Sequence, residues 1–171
     1  KYIKIPGLDV TTDIMDIVID FTKNIENPVV HSKIIFGGHS GVYLQAAKDQ
    51  IDAANYKLFL DERAKNYGAE VSKISIDVLN DGIENISKKH ITYILNFEGG
   101  ELVQKAGDKY LFKIGEIIGK QVELYQETDR KNPVELDFPH GYHRTIQVKI
   151  PEGYKVAKEM SVHGSGGSSF A

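Results

Sequence analysis

Cysteine is absent from this chain, and so is tryptophan. Without a thiol there is no disulfide, no thiolate metal site and no cysteine nucleophile. The same absence leaves the redox compartment unmarked, because periplasmic proteins also do without cysteine. No apolar run approaches the ~20 residues that a membrane-crossing helix requires, so no membrane span is expected. Lysine and arginine are dispersed, 21 of them against 24 acidic residues for a net charge of -3. With no basic stripe to follow a phosphate backbone, nucleic acid is not expected as a partner. No segment repeats at a fixed period, and no stretch combines a charged start, an apolar middle and a small-residue cleavage site.

What is present is globular material: 171 residues, 41% hydrophobic and 26% charged, long enough for one cored domain and too apolar for disorder. Lys1 at the start and the run Gly164-Ser165-Gly166-Gly167-Ser168-Ser169 near the end read as a fragment or processed chain with a flexible tail over 161–171. The expected organisation is a single β-rich domain over 1–160, subdivided at 12–98 and 99–160, with a helical insertion near 43–67.

Ile17, Ile19 and Phe21 alternate with polar neighbours, which predicts a half-buried strand over 13–21. The turn residues of 24–28 and the β-prone run 29–36 then predict an antiparallel hairpin, closed by Gly37-Gly38 and Gly41. Helical grammar follows: a short Ala-rich segment over 43–51, then a longer helix capped by Asp52 or Asn55. Its stripe is Tyr56, Phe59, Leu60, Ala64 and Tyr67, with Lys65 and Gly68 as stop signals. Strands are predicted at 70–78, 89–97, 101–103, 110–112, 133–138 and 144–150, while 115–120 reads as loop or a short helical turn. The fold class expected is therefore α+β, mainly β: an antiparallel β-sandwich-like architecture whose inserted helical segment covers one sheet face.

Arg130-Lys131-Asn132-Pro133-Val134 and Ile150-Pro151-Glu152-Gly153-Tyr154-Lys155-Val156 are the most specific strings, supported by the 41–51 segment, the helix ending near Gly68 and Tyr110-Leu111-Phe112-Lys113-Ile114. On these residues the chain resembles the uncharacterised β-rich region C-terminal to the catalytic core of bacterial transglutaminase-like proteins, over most of 29–157. Pro133 presets an extended strand start, Pro151-Glu152-Gly153 is turn chemistry, and Tyr154 is expected to bury its ring with its hydroxyl at the rim. The resemblance implies a periplasmic or secreted location. It also implies as partners the catalytic core of the same polypeptide and an extracellular protein or glycan. The family's Cys-His-Asp machinery maps to no residue here, so no catalytic position is inherited.

Candidate chemistry in the residues themselves is sparse. Gly38-His39-Ser40-Gly41-Val42 lies at a predicted strand-to-helix turn, the setting of a nucleophile elbow, but Val42 stands where that pattern has glycine. Ser40 reads as a helix cap. His140 and His143 are three apart, a spacing that puts them on opposite faces of a strand, and His31 and His39 complete a conceivable zinc or nickel set. Solvated turn histidines are the expectation. Asp77, Asn80, Asp81 and Glu84 lack the EF-hand spacing for Ca²⁺, and Asp61-Glu62 gives no pair of acids across a cleft. Tyr43, Tyr56, Tyr67, Tyr93 and Tyr110 read as core-facing or half-buried, with no cluster in sequence that marks a sugar-stacking platform. The expectation is a non-catalytic accessory domain without cofactor or metal. The alternatives are a free-standing extracellular adhesin or glycan binder, and a serine hydrolase using Ser40.

Overall fold

The structure, a computed structural model, describes residues 11–68, 73–119 and 139–157. The first strand, β1 (Thr11–Asp20), turns into β2 (Val29–Phe36) as the expected antiparallel hairpin, with Asp13 opposite Phe36 and Asp20 opposite Val29. Two helices follow, α1 (Gly38–Gln50) and α2 (Ala53–Lys65). Then come β3 (Ile74–Leu79), β4 (Ile91–Glu98), a two-stranded ribbon of β5 (Val103–Ala106) and β6 (Lys109–Phe112), and β7 (His140–Lys149). The main sheet has five strands in the order β3-β4-β2-β1-β7. The protein is a sheet-rich α+β fold.

Alternation decides which face is apolar. The register places Met15, Ile34 and Tyr93 in one row, Ile17 and Leu95 with Ser32 between them in the next, and Ile19, Val30 and Phe97 in the third. All nine side chains are buried. Because side chains on a strand alternate, the opposite face carries Asp16, Lys33 and Asn96, so a one-residue slip would exchange core for charge. Helix α2 packs on β3, and α1 on β1 and β4, which closes the apolar face. Asp52 starts α2, accepting from the N–H groups of Ala54 and Asn55 at 3.0 Å, and those bonds hold its carboxyl below the usual range. Gln45 is buried and ties α1 to the β3–β4 connection, donating to the carbonyls of Asn80 and Lys89 at 2.9 and 2.7 Å.

Four expectations are corrected. The sheet is not wholly antiparallel: β7 runs parallel to β1, His140 opposite Thr11 and Lys149 opposite Asp20, so the late strand returns beside the first. Helix α1 begins at Gly38, which puts Gly38 and Gly41 inside the helix and not in a closing loop. The strand expected at 101–103 begins only at Val103, in β5; Gly100–Leu102 is a 3₁₀ turn because the Gly100 N–H is taken by Asn27 Oδ1 at 2.9 Å and Leu102 bonds back to Gly99. Tyr154 is 50% exposed and touches Tyr110 edge-on instead of burying its ring. The ambiguous 115–120 segment is a 3₁₀ helix over Ile114–Ile118. The Arg130 to Val134 string, the 133–138 strand and the 161–171 tail lie outside the described residues.

Candidate functional site

The connection from β2 into α1 is built for close approach. A Cβ at Gly41 would stand 2.7 Å from the Phe36 carbonyl oxygen, so the first turn of α1 seats against the end of β2 only because position 41 lacks a side chain. Gly38 enters that turn at φ +60, a conformation glycine tolerates. The result holds Ser40 in the first turn of the helix, while the His39 N–H donates to Thr11 Oγ1 at 3.2 Å. Ser40 is therefore not the cap. Gly37 occupies that position, and no side chain caps it.

Beside this turn lies a cavity of about 330 Å³ between the two helices and the β1, β2 and β7 ends of the sheet. The helices contribute Ser40, Tyr43, Leu44, Arg63 and Tyr67; the sheet contributes Asp13, Phe36, His140 and Tyr142. Parallel pairing explains the sheet side, since His140 and Tyr142 of β7 fall in register with Thr11 and Asp13 of β1 and share the helix-covered face. Ser40 Oγ and His140 Nε2 are 3.4 Å apart, longer than an ordinary hydrogen bond. The His140 ring stacks on Tyr142 at 5.7 Å. Tyr43 and Tyr142 stand 72% and 56% exposed at the mouth.

Charge in the cavity is unevenly matched. Arg144 Nη2 lies 3.2 Å from Asp13 Oδ2, and its Nη1 donates to the Asp13 carbonyl at 2.6 Å, so these two side chains compensate each other. Arg63 sits over the Phe36 ring at 5.8 Å and makes no ion pair among the described residues. Its Nε is buried without a hydrogen-bond partner, as is Asp13 Oδ1. Burial pushes the Tyr67 hydroxyl up to about 12, and that of Tyr93, beneath the cavity, also to about 12; the Arg63 charge opposes both rises.

The other sequence candidates scatter. His143 occupies the face of β7 opposite to His140, and His31 bonds Asn96 on that same outer face. Among the described residues no group of three or more His, Cys, Asp or Glu side chains comes together for a metal. Asp81 accepts from Lys48 and Tyr56 at 3.0 Å each, and Asn80, at φ 61, donates to the His90 carbonyl, so the acidic turn binds helices to sheet. Asp61 and Glu62 pair with Lys57 and Lys65 on the α2 surface. Tyr93 and Tyr67 are buried as expected and Tyr56 and Tyr110 half-buried, but Tyr43 faces solvent.

Sequence reasoning missed Asp13, Arg63 and Arg144. Arg63 carried one signal, its place one residue before Ala64 in the buried α2 stripe, which sets it at the margin of the covered face. Comparison with protein-family models, curated proteins and solved structures finds no match to the chain.

Proposed function

We propose that this chain is a non-catalytic accessory module of an extracytoplasmic transglutaminase-like protein, and that the helix–sheet cavity is its glycan-binding surface. The observation that carries the binding role is the pair of exposed tyrosine rings, Tyr43 and Tyr142, at the mouth of a cavity lined with hydroxyl, imidazole and guanidinium groups. Exposed aromatic surface costs free energy in water and packs on the apolar faces of sugar rings. His140 and Arg144 flank the Tyr142 ring, which leaves its exposed edge beside Tyr43 at the mouth, while the polar lining orients hydroxyl groups. The volume, about 330 Å³, suits one or two rings.

The accessory role rests on the resemblance carried by Ile150 to Val156. It is supported by the exposed apolar residues Val148, near the end of β7, and Ile150, Tyr154 and Val156 beyond it, each 38% to 64% exposed. In this reading these residues pack on the catalytic core of the same polypeptide, and the sandwich-like architecture is completed there.

A serine hydrolase is the second reading, favoured by the approach of Ser40 to His140. Against it, Ser40 Oγ and His140 Nε2 stand 3.4 Å apart, longer than an ordinary hydrogen bond, and the cavity carboxylate Asp13 is engaged by Arg144. One experiment separates the two. The 171-residue chain is expected to show saturable glycan binding that Tyr43→Ala and Tyr142→Ala each weaken, and no labelling by a fluorophosphonate. Labelling lost in Ser40→Ala overturns the non-catalytic reading, and binding indifferent to both tyrosines overturns the cavity as the surface.

A further inference from the structure

We infer that the cavity selects an acidic sugar, one that presents a carboxylate to Arg63 while its ring lies against Tyr43 and Tyr142; this rests on the glycan-binding reading above. Arg63 is the one cavity cation without an ionic partner among the described residues, since Asp13 is matched by Arg144. A guanidinium presents a planar fork of donors that fits a carboxylate with two parallel hydrogen bonds. The Phe36 ring, whose centroid lies 5.8 Å from the guanidinium carbon, makes a cation–π contact that keeps Arg63 at the cavity wall.

The rest of the lining agrees in sign. Ser40 offers a hydroxyl, and His140 approaches from β7. Asp13 is the opposing charge, and it would repel a carboxylate if bare. Arg144 offsets it at 3.2 Å and leaves the cavity with the excess positive charge of Arg63.

A neutral sugar would fill the same volume and pack against the same tyrosines but leave Arg63 unmatched. Burying that cation without a partner disfavours binding, so discrimination comes from the charge. A free inorganic anion or acetate would satisfy Arg63 without using the tyrosines. The ligand that uses every feature carries a carboxylate on a pyranose-sized ring.

The test compares methyl β-D-glucuronide, methyl β-D-glucoside and acetate by NMR titration of the whole 171-residue chain. The glucuronide is expected to bind about tenfold or more tighter than either, and Arg63→Gln to bring it to the level of the glucoside without lowering the melting temperature. Arg63→Lys keeps the charge but not the fork and should fall between. Equal binding of glucuronide and glucoside overturns the acidic-sugar inference and leaves the glycan-binding reading standing. Acetate binding as tightly as glucuronide overturns it as well. Binding of none of the three overturns both.

Discussion

Two buried tyrosines show how a single side chain ties this fold to pH. Tyr67 and Tyr93 hold their protons up to about 12 because burial strips water from the phenolate, whereas an unfolded tyrosine ionises near 10. Between those values the unfolded chain has released protons that the folded chain still binds, so stability falls as pH rises through the window. The contribution is intact below pH 10 and lost above 12. Each tyrosine accounts for on the order of 2 kcal/mol of that loss. Urea denaturation across pH 9 to 12 should show the decline, and Tyr93→Phe should flatten it; an unchanged slope in that variant would contradict the assignment. At this scale the sequence was a fair guide to type and a poor one to depth. A helical stripe put Tyr67 inside, but the same residue type at position 43 is 72% exposed, because helical period gives direction and not what lies across from it.

At the scale of elements, periodicity carried the strands and the second helix, and glycine hid the first. The alternation of Ile17 and Ile19 and the Asp52 cap were readable locally, and both hold in β1 and α2. Gly38 and Gly41 weaken helical propensity by about 1 kcal/mol each, which is why the segment reads as a loop. The reason for glycine at 41 is tertiary: the Phe36 carbonyl leaves no room for a Cβ. Gly41→Ala therefore sets a propensity gain of ~1 kcal/mol against overpacking of ~1–3 kcal/mol, and the clash with rigid backbone decides the sign. The variant should melt at lower temperature, and its Ser40 should leave the cavity wall. A stabilised Gly41→Ala would show that α1 does not seat on the end of β2. The parallel pairing of β7 with β1 had no local signal, since strand order is set by which edge remains open after the hairpin has formed.

For the whole molecule, the site is a product of topology. Ser40 and His140 stand 100 residues apart in sequence, and Arg63 and Asp13 come from different layers, so no spacing rule could join them. The ribbon of β5 and β6 packs at the other end of the sheet, Phe112 against Phe21 at 5.5 Å, which leaves the Asp13 end to the helices and the cavity. The described residues that gather there include the Arg63 cation and two exposed tyrosine rings, and that composition is why binding is the proposed role. The most direct measurement is a map of backbone amide shifts in the full chain as methyl β-D-glucuronide is added. Saturable shifts are expected to concentrate on Ser40, Tyr43, Arg63, His140 and Tyr142. Shifts centred on the β5–β6 ribbon or on the outer sheet face, or no saturable shifts at all, would contradict binding at the cavity.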